Sequence, residues 1–154
     1  MLSKAERKEI DHHLHMYPSR QNACIDALLV IKKHRRWVSD EAVEDIADYL
    51  DMTIDEVDHV ATFYNQIYRQ PVGEHVILIC DSVSCWVVGY EKILEHLKKQ
   101  LGIGLGQTTT DNKFTLLPVQ CLGACDRAPA MMIDESTFYN LTTDRVDEIL
   151  AQYN

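Results

Sequence analysis

Four of the five cysteines in this chain fall in two tight pairs, CDSVSC at 80–85 and CLGAC at 121–125. Four residues separate Cys80 from Cys85, and three separate Cys121 from Cys125. A thiolate is a soft ligand that suits zinc, copper(I) and iron–sulfur clusters. Two short loops lying side by side can present four sulfurs to one centre. The gaps fit structural zinc knuckles, and they also fit a four-cysteine [2Fe-2S] cluster. Other centres need different patterns. The plant-type ferredoxin motif continues with a two-residue gap, and a Rieske centre needs two His ligands, which neither loop offers. A thioredoxin-type dithiol needs C-x-x-C, which is absent. Unliganded core thiols are the plain alternative, because free Cys is often buried. Pairing at the ends of strands disfavours it. Zinc and iron–sulfur both stay open on spacing, and the ligand chemistry leans towards iron–sulfur.

The elements that must bring these loops together occupy the second part of the chain. HVILIC at 75–80 is a continuous apolar, β-branched run and reads as a buried strand ending at Cys80. Cys85 is expected just before a helix whose stripe is Tyr90, Ile93, Leu94, Leu97 and Leu101, with Gly102 as its C-cap. GIGLGQTTTDN reads as a loop; it lacks the full nucleotide-binding fingerprint and follows a helix rather than a strand. FTLLPV at 114–119 is a strand that leads into Cys121, and PAMMI at 129–133 is the strand after Cys125. TTDRVDEILAQY closes the chain as a capped helix with Val146, Ile149 and Leu150 inward. This β-α-β-β-α order describes helices over a small sheet.

Before PVG at 71–73 the chain reads as four short helices. SKAE and TIDE are capping boxes that open the first and fourth helices, and Ser39 caps the third. Ile10, His13, Leu14 and Tyr17 share a face of the first helix, which Pro18 ends. The second runs from about residue 20 to 35 with Ile25, Leu28 and Leu29 inward. The third carries Val43, Ile46, Ala47 and Leu50 at helical spacing, and the fourth Val57 and Val60, with Tyr64 as a candidate to extend its row. The fold class is therefore α+β: an N-terminal helical bundle over residues 1–70, then an α/β domain over 71–154.

The 154 residues, 46% of them apolar, allow a proper core. A net charge of −9 argues against nucleic acid and against an anionic membrane surface. No apolar run approaches a bilayer span. The first residues alternate charge and apolar character, with no signal-peptide core. A cytoplasmic protein is expected, whose clustered thiols bind metal or do redox chemistry rather than form disulfides. The odd count of cysteines agrees.

The run CDSVSC…CLGACDRAPAMMID resembles the thioredoxin-like [2Fe-2S] ferredoxin family, and within it the small iron–sulfur subunits of bacterial NADH:quinone oxidoreductase (respiratory complex I). RRWVSDEAVEDIADYL, VDHVATFYNQIYRQPVG and LTTDRVDEIL extend the resemblance over nearly the whole chain. It implies a thioredoxin-like domain behind the helices, and one [2Fe-2S] cluster held by Cys80, Cys85, Cys121 and Cys125. It implies a larger flavoprotein partner that binds NADH and FMN, other peripheral-arm subunits, and a place on the cytoplasmic face of the inner membrane through the complex. Related subunits serve NAD-linked hydrogenases and formate dehydrogenases, which is the alternative assignment. A zinc-stabilised interaction module is a further one. Trp86, beside a ligand, departs from the smaller or polar residue expected there.

On this reading no side chain acts as acid, base or nucleophile; the chemistry is one-electron transfer. Four thiolates, two sulfides and two ferric irons carry −2, and reduction makes that −3. Asp81 and Asp126 should lower the potential and Arg127 partly offset them. N–H groups of residues 82–84 and 122–124 are the expected donors to sulfur, with Gly123 letting the backbone approach. Pro129 stands where thioredoxin-like folds often have a cis bond. Cys24 reads as a core residue. His12 and His15 lack a third metal ligand, and Phe63 and Tyr64 are either core or a docking face.

Overall fold

In the computed structural model, which describes residues 1–153, the chain forms two compact units, the first from Met1 to Pro71 and the second from Val72 onward. The first contains α1 (Lys4–Leu14), a 3-10 turn (Arg20–Ala23) running into α2 (Cys24–Arg35), α3 (Asp40–Leu50) and α4 (Ile54–Phe63). Both capping boxes form. The Ser3 hydroxyl accepts the Glu6 N–H at 3.2 Å, and the Glu6 carboxylate accepts the Ser3 N–H at 2.7 Å. Thr53 and Glu56 do the same for α4, and Ser39 accepts the Ala42 N–H to start α3. Ile10, Leu28, Ile31, Ile46 and Leu50 are fully buried between these helices.

Two details of this unit differ from the sequence expectation. α1 stops at Leu14, so Tyr17 lies outside it and donates its hydroxyl to Asp26 at 2.7 Å. The inward row of α2 is Cys24, Ala27, Leu28 and Ile31, while Ile25 and Leu29 are exposed. Both rows obey helical spacing and share Leu28. The packing against α1 and α3 selects the row that starts at Cys24, where the α-helix proper begins after its 3-10 turn.

Glu6 does more than cap. It is buried, and Arg35 grips it with Nε–Oε1 at 2.6 Å and Nη2–Oε2 at 2.8 Å. That bidentate hydrogen bonding, against the opposing effect of burial, holds the carboxyl down from its ordinary 4.5 to about 2.

The second unit is built on β1 (His75–Cys80). The sheet order is β2 (Gln107–Thr108), β3 (Phe114–Val119), β1, β4 (Met131–Ile133), β5 (Ser136–Phe138). β1 and β3 are parallel; the other pairs are antiparallel. β1 sits centrally and its last five residues are buried, which explains its unbroken apolar run. Pro118 in β3 lies beyond the end of β2, where no strand needs its missing N–H. α5 (Val83–Val87) and α6 (Tyr90–Leu101) make the crossover, and α7 (Thr143–Ala151) follows the sheet. Leu97, Val146 and Ile149 share a core with Ile77, Leu116, Met131 and Ile133. Gly102 ends α6 at φ 68°, a left-handed C-cap. β2 and β5 are not expected from the sequence. They have two and three residues, largely polar, and exist by pairing with longer neighbours.

The Glu6 carboxyl contributes stability that is complete above pH 4.5 and is lost as pH falls towards 2. Glu6→Gln should therefore cost about 2–3 kcal/mol at pH 7. Urea unfolding followed by Trp37 fluorescence should show that gap narrowing once pH drops below 4.5. A gap independent of pH would contradict this account of the pair.

Candidate metal centre

Strand direction brings the cysteine loops together. β1 and β3 run parallel in a register that sets Cys80 opposite Val119, so both strands release their following loops at the same sheet edge. β4 begins at that edge, because Met131 pairs antiparallel with Ile79. The loops are then stitched down: the Cys80 N–H donates to the Ala130 carbonyl at 3.1 Å, and the Asp81 N–H to the Val119 carbonyl at 3.0 Å.

In the first loop Ser82 is the N-cap of α5. Cys85 precedes α6 as expected, but it lies within the additional short helix α5, after which Gly89 leads into α6. Cys80 and Cys85 are both buried. In the second loop Cys121 and Cys125 are exposed, with Sγ–Sγ 3.5 Å. Gly123 holds φ 74°, a left-handed turn that aims its N–H at Cys121 Sγ, 3.4 Å away. The Ala128–Pro129 bond is cis.

The pairs adjoin one another. The Cys80 thiol is a hydrogen-bonding neighbour of both Cys85 and Cys121, and it donates to the Gln120 carbonyl at 3.0 Å. Burial, and then the Cys80 contact, push the Cys85 thiol up to about 11, against an opposing pull from the Ala130 N–H. Cys121 goes the other way. The Gly123 N–H, followed by the Cys125 thiol, lowers its pKa, and the Ser82 hydroxyl adds to this. Among the described residues no three or more His, Cys, Asp or Glu side chains surround one point as ligands of a single ion do; the thiols meet pairwise.

The donors to sulfur are only partly those anticipated. Gly123 donates as expected, whereas on the first loop the Ser82 hydroxyl reaches across to Cys121. The Ala130 N–H has no signal in the sequence. Only the pairing of β4 beside β1 brings it to Cys85. Asp81 and Asp126 are exposed. Arg127 lies 3.7 Å from the Asp126 carboxylate and stacks 3.8 Å from the Tyr139 ring centroid. The remaining candidates stand apart. Cys24 is buried in the helical unit, and burial raises its thiol to about 11. His12 and His15 are exposed on the first unit, as are Phe63 and Tyr64.

Residues 10–154 match the thioredoxin-like [2Fe-2S] ferredoxin family, and the chain belongs to that family. Within it the similarity is full-length. The chain is 49% identical over 153 residues to the E-type subunit of NADH-quinone oxidoreductase from Pseudomonas aeruginosa, covering 99% of this chain and 92% of that one. It is 51% identical over 152 residues to the protein of the same name in Escherichia coli K12, with the same coverage. Among solved structures it resembles an NAD+-reducing [NiFe]-hydrogenase chain, with a TM-score of 0.68 and 23% identity. That match spans 82% of this chain and 22% of the hydrogenase chain, and it speaks for the fold alone.

The thiol environments predict an order of reactivity in the metal-free chain. Iodoacetamide at pH 8, followed by peptide mass spectrometry, should label Cys121 first and Cys24 and Cys85 last, since the thiolate is the nucleophile. Early labelling of Cys85 would contradict the burial and hydrogen bonding described.

Proposed function

We propose that this chain is the electron-carrying subunit of an NADH:quinone oxidoreductase, and that Cys80, Cys85, Cys121 and Cys125 hold its [2Fe-2S] cluster. The observation that carries this is the meeting of four thiols from two loops at one sheet edge, in a chain about half identical, end to end, to NADH-quinone oxidoreductase subunits of two bacteria. The donor set fits the group. Two thiolates on one tetrahedral metal with bonds near 2.3 Å lie about 3.8 Å apart, and Cys121 and Cys125 already stand at 3.5 Å. The first pair supplies a buried flank, and the second an exposed one.

When bound, the cluster accepts and releases one electron at a time. The chain's residues set the terms. The Gly123 and Ala130 N–H groups point at Cys121 and Cys85, where they stabilise negative charge on sulfur. Asp81, Asp126 and the net charge of −9 oppose its increase, with Arg127 as partial offset. A low potential follows. The partners are the flavoprotein subunit that binds NADH and FMN, together with other peripheral-arm subunits. Among the described residues no helix is long and apolar enough to cross a membrane; attachment to the cytoplasmic face of the inner membrane runs through the complex.

Anaerobic purification should yield a red-brown protein with iron and labile sulfide in equal amounts, and a midpoint potential well below zero, on the side of the four-cysteine plant-type ferredoxins at about −400 mV. Cys80→Ala should lose most of the iron. Asp126→Asn should keep it and raise the midpoint by about 10 mV, the size of one screened surface charge. A colourless protein containing zinc, or a clearly positive midpoint, would contradict the proposal.

A further inference from the structure

The second cysteine loop holds its two sulfurs as a close pair without help from a metal. Cys121 Sγ and Cys125 Sγ stand 3.5 Å apart, and both residues are exposed. The backbone builds this approach. Gly123 turns the chain at φ 74° and donates its N–H to Cys121 Sγ at 3.4 Å. Cys125 opens the 3-10 turn Cys125–Arg127, which the Arg127 N–H closes on the Ala124 carbonyl at 3.0 Å. The Asn140 N–H fastens the Arg127 carbonyl in turn, at 2.7 Å. A disulfide holds its sulfurs about 2.05 Å apart, so rotation about the side-chain bonds has about 1.5 Å to close.

The other thiols are placed differently. Cys80 and Cys85 are 3% and 2% exposed, and the Cys80 thiol donates to the Gln120 carbonyl at 3.0 Å. Cys24 is buried in the helical unit. Four residues separate Cys80 from Cys85, and three separate Cys121 from Cys125. Loop-closure entropy therefore hardly distinguishes the two possible disulfides. Access does. A thiol exchanges with a disulfide only where the two sulfurs can reach each other, and an entering molecule meets sulfur only on the second loop.

We propose that, in the chain without its cluster, Cys121 and Cys125 close a reversible disulfide that locks the site against loading until a thiol reductant opens it. The oxidant is a small-molecule disulfide such as oxidised glutathione. Cys121, as thiolate, attacks one glutathione sulfur, forming a mixed disulfide and expelling one glutathione thiolate. Cys125 then attacks the Cys121 sulfur and expels the second. Two protein thiols are oxidised, one glutathione disulfide is reduced, and the two protons pass to the leaving thiolates. The closure rests on the geometry above. Its effect on loading rests on the assignment of the four cysteines as cluster ligands, since two of the four are then withheld. The disulfide also keeps the exposed sulfurs off the irreversible sulfinic and sulfonic steps.

The test uses the full-length wild type, stripped of metal by a chelator under argon. The chain is incubated with oxidised glutathione, quenched with iodoacetamide, and digested with trypsin without reduction. Cys121 and Cys125 fall together in residues 114–127, Cys80 and Cys85 together in 70–92, and Cys24 in 21–32, so fragment masses separate the pairings. The folded chain should carry the 121–125 disulfide in at least tenfold excess over 80–85, whereas in urea the two should form in comparable amounts. The oxidised chain should then accept a cluster from a [2Fe-2S]-loaded scaffold protein at least tenfold more slowly than the reduced chain, by visible absorption. Dithiothreitol should restore the rate. A main product that pairs Cys80 with Cys85, or links the two fragments, overturns the pairing. So do equal ratios in buffer and urea, or a glutathione adduct that persists at Cys121. Undiminished loading of the oxidised chain overturns the lock. A reduced chain that accepts no cluster overturns the functional assignment instead, and the fragment masses decide the disulfide independently of it.

Discussion

The register of two parallel strands is the constraint on which everything else depends. Because Cys80 lies opposite Val119, the loops after β1 and β3 start level with one another. A sulfur on the first loop therefore finds sulfurs on the second although some forty residues of chain intervene. The crossover through α5 and α6 permits that parallel pairing, and the core of Leu97, Ile77, Leu116 and Val146 holds it. Slipping β3 by one residue would turn its buried side chains to the other face and move the second loop along the edge. The site is thus a consequence of sheet packing, and the loops themselves are short and tethered by backbone hydrogen bonds.

The thiol group is asymmetric in a way that suits its proposed work. Cys80 and Cys85 are buried, and burial favours the protonated form of Cys85. Cys121 and Cys125 are exposed, and a backbone N–H favours the thiolate at Cys121. Binding metal requires thiolates, so loading the site releases protons and couples occupancy to pH. The exposed pair is the natural point of entry and the buried pair the anchor. The same asymmetry leaves one side of the site facing solvent.

Much of this is legible in the chain itself, for identifiable reasons. α1, α3 and α4 announce themselves by side-chain caps, which are local and need no tertiary partner. β1 and α6 are strongly patterned. The phase of α2 comes out wrong from the sequence, because Ile25 and Leu29 satisfy helical spacing as well as Cys24 and Ile31 do. Only the neighbouring helices distinguish the two rows. β2 and β5 escape notice because they draw their structure from β3 and β4. At the site, the cysteines and Gly123 can be picked from the sequence by type and spacing. Ala130 cannot, since an alanine N–H becomes a sulfur donor only through strand pairing, and the Ser82 hydroxyl reaches Cys121 only across the loop gap.

The central claim is that Cys80, Cys85, Cys121 and Cys125 together hold one two-iron unit. Iron X-ray absorption on anaerobically prepared protein tests it most directly. The account predicts four sulfur neighbours per iron and a single short iron–iron vector. Light-atom neighbours at iron, or sulfur neighbours with no iron–iron vector, would contradict it.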